Sequence, residues 1–236
     1  YNGEVYNFKA IAAELDQPLK TTGDTEVLLE AYARWGKGCL EKLNGMFAFA
    51  VYDKQEKSLF IARDRIGIKP LYYYWNNQTL YFASELKALL TVPEIKQGLA
   101  INKEALNAYL HLGYVPQPHS IYQHIHKFPK GHYGSVSAKG NFEITPYWRL
   151  EEQLTTQVVD DEGEAVDGLN ELVTAAVSDR LVSDVPFGTF LSGGIDSSLV
   201  TAVAQKSSEK PINTFTIRFT DSQFNEADHA AAVAQH

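Results

Sequence analysis

The chain has 236 residues, 44% apolar and 21% charged: enough for one large domain or two modest ones, with the balance of a globular protein. Its 21 Lys and Arg against 29 Asp and Glu give a net charge of −8, which argues against a general nucleic-acid or acidic-membrane binder but permits a local phosphate site. No apolar run approaches a bilayer span, no leader pattern opens the chain, and the single cysteine excludes an internal disulfide and fits a reducing, cytoplasmic setting.

Along residues 25–35 the apolar side chains Val27, Leu28, Ala31, Tyr32 and Trp35 follow a helical spacing, stopped by Gly36 and Gly38. Aromatic and β-branched residues predict strands at 46–52 and 59–62 around the polar turn 53–58. Residues 72–75 and 80–83 repeat that hairpin pattern around Asn76-Asn77, so an antiparallel sheet is expected. A capped helix follows at 102–111, then a loop over 113–118 and a β-rich stretch to Trp148. Residues 151–163 are acidic and polar and read as a linker.

Beyond the linker the pattern changes. Val166, Leu169, Leu172, Val173, Ala176 and Val177 line one face of a long helix. A strand (186–191), a glycine turn, a helix (197–205) and a strand (212–219) come next, the opening of a parallel doubly wound sheet. The expected organisation is therefore an α+β domain over 1–150 followed by the start of an α/β domain over 164–236. The chain begins at Tyr1 and stops within an alanine-rich helical stretch (226–235), and is expected to be an internal piece of a longer polypeptide.

The run Ser192-Gly193-Gly194-Ile195-Asp196-Ser197-Ser198 lies between a strand and a helix. Adjacent glycines let the backbone turn sharply and approach a ligand. Backbone amides, the helix start and the hydroxyls of Ser192, Ser197 and Ser198 make a set of donors suited to pyrophosphate oxygens. Asp196 would be repelled by bare phosphate, so its presence points to Mg²⁺ bridging carboxylate and phosphates. No lysine follows the glycines, which excludes the G-x-x-x-x-G-K-[ST] loop. A plain turn with Ser or Asp capping the helix would use the same residue types.

With Leu191 in front, this run resembles the pyrophosphate loop of ATP pyrophosphatases, which cleave ATP between its α and β phosphates. The preceding Arg180-Leu181-Val182-Ser183-Asp184-Val185-Pro186 is similar to the stretch entering that loop in glutamine-hydrolysing asparagine synthetases. By this resemblance Leu191, Ser192, Gly193, Gly194, Asp196, Ser197 and Ile217 bind ATP, with Leu191 and Ile217 contributing main chain and Asp196 holding the metal. Asn225 stands where many relatives carry Asp, in the segment Phe224-Asn225-Glu226, which argues against a metal role there.

Two short segments near the start are each unremarkable alone: Asn-Gly is a turn dipeptide and Gly-Asp-Thr a helix cap. Together, Asn2-Gly3-Glu4-Val5-Tyr6-Asn7 and Gly23-Asp24-Thr25-Glu26 resemble the glutamine pocket of class II glutamine amidotransferases, whose fold is an antiparallel αββα sandwich. The resemblance implies that the Asn2 amide and Gly3 N–H form the oxyanion hole, while Glu4 and Asp24 bind the α-ammonium of glutamine. The runs 45–50, 62–72 and 82–89 are similar to the same domain. The family's nucleophile is an N-terminal cysteine acting with its own α-amine; Tyr1 holds the first place here, and Cys39 reads as packing.

The implied activity of the intact enzyme is ATP-dependent amidation of aspartate to asparagine, using ammonia from glutamine, through an aspartyl-adenylate that yields AMP and pyrophosphate. This piece alone is expected to be inactive in glutamine turnover. A relative adenylating another carboxylate, β-lactam-forming or sugar-amidating, and a non-catalytic descendant remain alternatives. A phosphoribosyl- or sugar-phosphate amidotransferase would lack the adenylating loop. Small-molecule partners (glutamine, aspartate, ATP) are implied, with a homodimer left open. His124 and His126 are expected to share one strand face as a surface pair, and Arg63, Asp64 and Arg65 to form an ion-paired structural turn.

Overall fold

A computed structural model describes residues 1–154, 158–183, 185–221 and 225–236, so Asp184 and Phe224 of the segments singled out above lie outside the described residues. The chain divides into two units, Tyr1–Leu154 and Thr155–His236.

The first unit runs β1 (Asn2–Val5), α1 (Phe8–Leu15), α2 (Asp24–Trp35), a 3₁₀ turn (Gly36–Gly38), α3 (Cys39–Lys42), β2 (Gly45–Asp53) and β3 (Ser58–Arg63). It continues with β4 (Tyr72–Asn76), β5 (Thr79–Ala83), α4 (Leu86–Leu89), α5 (Pro93–Gln97), α6 (Lys103–Leu112), β6 (Ile125–Lys127), β7 (His132–Val136) and β8 (Phe142–Pro146). Two antiparallel sheets result, one in the order β1-β2-β3-β7-β8 and one in the order β5-β4-β6. The β4–β5 hairpin turns at Asn77 and Gln78, both at positive φ, as a two-residue turn that matches strand twist requires. Asn102 caps α6 by accepting the amides of Glu104 and Ala105.

Strand alternation sets the layers. Phe47, Phe49 and Val51 of β2, with Phe60 and Ala62 of β3, pack with Ile11 and Leu15 of α1 and Val27, Leu28 and Ala31 of α2. Ala48, Ala50, Leu59 and Ile61 point the other way and meet Tyr73, Leu80 and Phe128 between the sheets. The outer face of the second sheet, with Tyr72, Tyr74, Tyr81 and Ile125, is covered by Leu86, Leu89 and Ile95. Helices, sheet, sheet and helices make the αββα sandwich expected for this unit.

Charged residues sit inside it. Asp64 is fully buried, and its carboxylate accepts the amides of Phe47 (3.2 Å), Gly67 (2.6 Å), Ile68 (2.9 Å) and Lys69 (3.0 Å). The Arg63 guanidinium, also buried, donates to the carbonyls of Lys69, Phe128 and Gly67 at 2.6–2.8 Å. No ion pair among the described residues joins the two, which corrects the ion-paired reading. Each charge is satisfied by main-chain dipoles, and together they fold residues 64–70 into a fixed turn. Burial lowers the Arg63 pKa, partly offset by the nearby Asp64 and Tyr72.

The second unit comprises α7 (Glu162–Asp179), β9 (Gly188–Phe190), α8 (Ile195–Lys206), β10 (Asn213–Phe215) and α9 (Ala227–Gln235). β9 and β10 pair in parallel, the expected beginning of a parallel sheet, but each is shorter than its sequence pattern. Asp161 caps α7 by accepting the Glu164 amide, so the helix starts inside the predicted linker. The α7 apolar stripe forms yet stays open: Val166, Leu169 and Leu172 are exposed. Among the described residues of this unit, Leu191, Val203, Ala204 and Ala230 are buried. No helix among the described residues is long and apolar enough to cross a membrane.

Replacing Asp64 by Ala removes the side-chain acceptor of four amides, of which Gly67 keeps a 3.2 Å bond to the main-chain carbonyl of residue 64, and leaves the Arg63 charge without its neighbour. The expected cost is about 3–5 kcal/mol in urea unfolding of the first unit. A loss below about 1 kcal/mol would show that water satisfies the turn as well as the carboxylate does.

Candidate functional site

β1 pairs with β2 in the register Asn2↔Ala48, Gly3↔Phe47, Glu4↔Met46 and Val5↔Gly45. The strands approach so closely that a Cβ on Gly3 would lie 2.2 Å from the Met46 carbonyl oxygen, so a larger residue would part them. Asp24, the first residue of α2, is brought to the same strand. Its Oδ2 accepts the Val5 amide at 2.9 Å and the Tyr1 hydroxyl at 2.5 Å. Among the described residues Oδ1 receives only a long bond of 3.4 Å from Thr25 Oγ1, which leaves it available to an ammonium group. Glu4 is exposed on the strand.

Asn2 Nδ2 lies 3.4 Å from Ser84 Oγ, and Asn2 lines a cleft of about 180 Å³ with Tyr1, Ala48, Leu71, Phe82 and Ser84. A neutral amide donor at the wall of a small cleft is what an oxyanion requires. The structure thus gathers Asn2, Gly3 and Glu4 on one strand and ties Asp24 to it.

Sequence reasoning missed two residues here. Burial, the hydrogen bond to Asp24 and the charges of Asp24 and Glu4 raise the Tyr1 phenol pKa well above its ordinary value, so it remains a donor to Asp24 at any ordinary pH. Glu26 accepts the amides of Lys20 and Thr21 and the Thr21 hydroxyl, at 2.6–3.0 Å, and fixes the turn that delivers Asp24. The bonds from Lys20 and Thr21 lower its pKa. Glu26 closes the Gly23-Asp24-Thr25-Glu26 segment already singled out, but without an assigned role, and Tyr1 had only its place next to Asn2-Gly3 as a signal.

Cys39 is wholly buried in the helix-covered core, and burial pushes its thiol up to about 12. His124 stands at positive φ just before β6, so it does not share a strand face with His126, contrary to expectation. The His126 ring packs 5.5 Å from that of Tyr73, and burial with His119 and His124 nearby lowers its pKa. Among the described residues no three His, Cys, Asp or Glu side chains are grouped to hold a metal ion.

In the second unit the Leu191 amide donates to the Phe215 carbonyl at 2.9 Å, and Thr216 Oγ1 donates to the Leu191 carbonyl at 2.6 Å. Leu191 and the segment leading to Ile217 therefore end side by side. Gly193 has φ +83°, and a Cβ there would lie 2.6 Å from His229 Cβ and 2.8 Å from the Ala230 nitrogen. The turn needs glycine on both counts.

α8 starts at Ile195, two residues earlier than expected, with Gly194 as its cap and no side-chain cap among the described residues. Ser192 Oγ and Ser197 Oγ share a 2.9 Å hydrogen bond, and Ser197 Oγ also accepts the Ser192 amide at 3.2 Å. Ser198 Oγ is buried without a partner among the described residues. The three hydroxyls are therefore not an open rank of donors: two stitch the turn, and the groups left facing outward are the uncapped amides of the helix start. Asp196 is exposed in that first turn, and Ile217, two residues beyond β10, is exposed as well. Asn225 Oδ1 accepts the Ala227 amide at 3.4 Å at the start of α9.

Residues 1–148 match the family described as glutamine amidotransferase domain, and residues 168–236 match the family described as asparagine synthase. The chain belongs to the glutamine amidotransferase domain family. It is 36% identical over 239 residues to a putative asparagine synthetase (glutamine-hydrolysing) 2 of Methanocaldococcus jannaschii, covering 100% of this chain and 45% of the relative. It is 38% identical over 229 residues to asparagine synthetase (glutamine-hydrolysing) 3 of Bacillus subtilis, covering 94% and 36%. The chain thus spans less than half the length of either relative. A solved glutamine phosphoribosylpyrophosphate amidotransferase from B. subtilis, complexed with ADP and GMP, aligns with a TM-score of 0.42 and 15% identity over 94% of this chain and 47% of that one.

The Cys39 thiol stays protonated below its raised pKa and only its thiolate reacts, so at pH 8 the folded protein should resist iodoacetamide and label readily in urea. Rapid labelling in the folded state would contradict a sealed core at Cys39.

Proposed function

We propose that this chain carries the glutamine site and the ATP-cleaving loop of a cytoplasmic, glutamine-dependent asparagine synthetase, with domains over 1–150 and 164–236. The observation that carries the reading is the order of two unrelated elements in one chain: an amidotransferase unit, then a diglycine turn opening an uncapped helix at the end of a parallel strand.

In the first unit the Asn2 amide and the Gly3 N–H stabilise the oxyanion formed when glutamine's side-chain amide is attacked. Asp24 Oδ1 and Glu4 accept the α-ammonium, with Tyr1 and Val5 holding Asp24 in place through Oδ2. No described group fits the nucleophile, since Cys39 is buried and protonated. On this reading glutamine hydrolysis needs an N-terminal cysteine that these residues do not include, and the piece alone is inactive in glutamine turnover.

In the second unit the α8 amides and the Ser192–Ser198 turn hold the β,γ-phosphates of ATP, and main chain at Leu191 and Ile217 meets adenine. A carboxylate becomes a good electrophile once its oxygen joins a good leaving group, so cleavage between the α and β phosphates yields pyrophosphate and an aspartyl-adenylate. Ammonia then displaces AMP to give asparagine. Asp196 is one exposed carboxylate beside free amides, which fits Mg²⁺, an ion held through one or two carboxylates plus substrate phosphates. When bound, the ion neutralises charge building on the departing diphosphate.

The test is aspartate-dependent ATP–pyrophosphate exchange in the polypeptide that carries these residues. Exchange should require aspartate and fall about a hundredfold or more in Asp196→Ala. Exchange driven by a different acid would overturn the asparagine assignment. Asp24→Asn should raise the KM for glutamine about tenfold or more while leaving ammonia-supported synthesis unchanged. An unchanged glutamine KM would remove Asp24 from the pocket.

A further inference from the structure

The first unit contains a second, larger cavity, of about 600 Å³, remote in sequence from Asn2 and Asp24. Its wall combines two kinds of chemistry. Arg65, Lys130, His132 and Arg149 supply positive or proton-donating groups, while Trp148 and the two prolines Pro118 and Pro129 supply flat apolar surface. In a chain of net charge −8 such a gathering of cationic side chains stands against the average of the molecule.

Two further features show what is already satisfied there. Arg65 Nη2 donates to the Glu41 carbonyl at 3.0 Å, which anchors the guanidinium, while its Nε is buried away from the cavity. His132 Nδ1 contacts the Lys130 carbonyl at 2.7 Å, which turns the other ring nitrogen away from that contact. The opposing charges are Glu151, on the wall, and Glu152, 3.9 Å from Arg149 in an exposed and therefore weak pair. Neither reaches Arg65 or Lys130 in an ion pair among the described residues.

A guanidinium, further cations and an indole lining a cavity of this size form a recurring arrangement. It suits a small ligand with an anionic end and a planar body. We propose that this cavity binds a phosphate-bearing planar ligand of the nucleoside monophosphate class, the phosphate facing Arg65, Lys130 and Arg149 and the ring lying against Trp148. The inference does not depend on the reading of Asn2 or of the Ser192 turn, and it uses none of their residues.

The experiment follows the Trp148 indole N–H resonance in ¹⁵N-tryptophan-labelled protein, where only three indoles give signals and Trp148→Phe assigns the one required. AMP is the probe and adenosine the control without phosphate. The Trp148 signal should move saturably with AMP and stay still with adenosine. In the double variant Lys130→Ala and Arg149→Ala, both sites being exposed, the apparent Kd should rise about tenfold or more. No shift with AMP, an equal shift with adenosine, or an unchanged Kd in the double variant would each overturn the proposal. The Trp148 shift and aspartate-dependent ATP–pyrophosphate exchange are independent readouts, so failure here and failure of the ATP loop are distinguishable.

Discussion

A single buried carboxylate organises the amidotransferase unit. Asp64 accepts four main-chain amides, three from the turn that follows it and one from Phe47 in the neighbouring strand. Phe47 is also the residue opposite Gly3, and the Asp64 amide returns a bond to its carbonyl at 2.8 Å. The position of β1, and with it Asn2, Gly3 and Glu4, is therefore inherited from a charge held by dipoles in the core. Burying that charge is tolerable only because every lone pair is met. The buried Arg63 guanidinium is met from the other side by three carbonyls, and separately the Tyr147 hydroxyl donates to the Arg63 main-chain carbonyl at 2.9 Å.

Much of this was legible in the residues. The alternation of Phe47, Phe49 and Val51 with Ala48 and Ala50 states which face of β2 meets helices and which meets a second sheet. Asn102, Gly36 and the turn after Asn76 act as punctuation because their local chemistry is self-contained. What could not be read depends on partners distant in sequence. The bond from Tyr1 to Asp24 spans 23 positions, and that from Arg63 to Phe128 spans 65. Arg63 and Asp64 are adjacent and opposite in charge, so a sequence invites pairing them, yet the fold gives each a set of backbone partners instead. His124 and His126 do not share a strand face, because positive φ at His124 puts it outside β6 and breaks the two-residue period on which that expectation relied.

The second unit shows how far local signals go when little core stands behind them. Both expected helices form, as α7 and α8, each starting earlier than its pattern; α7 is capped by Asp161, whereas α8 follows Gly194 with no side-chain cap among the described residues. The strands at 188–190 and 213–215 are shorter than their apolar runs, and Phe190, Phe215 and Ile217 remain exposed. Pattern alone sets the type of element, whereas strand length follows from neighbours to pair with. The Ser192–Ser198 turn is nonetheless well defined, because its order comes from the Ser192–Ser197 bond and from α9 lying against Gly193.

The dependence of β1 on Asp64 can be read without altering the protein, from native-state hydrogen exchange at the amides of Phe47, Gly67, Ile68 and Lys69. These four should exchange only on global unfolding of the first unit, as slowly as amides in the middle of β2 and β3. Exchange at Gly67, Ile68 and Lys69 as fast as in the exposed turn after Asp53 would mean that the carboxylate does not hold them, and that the strand bearing Asn2 and Gly3 is positioned by something else.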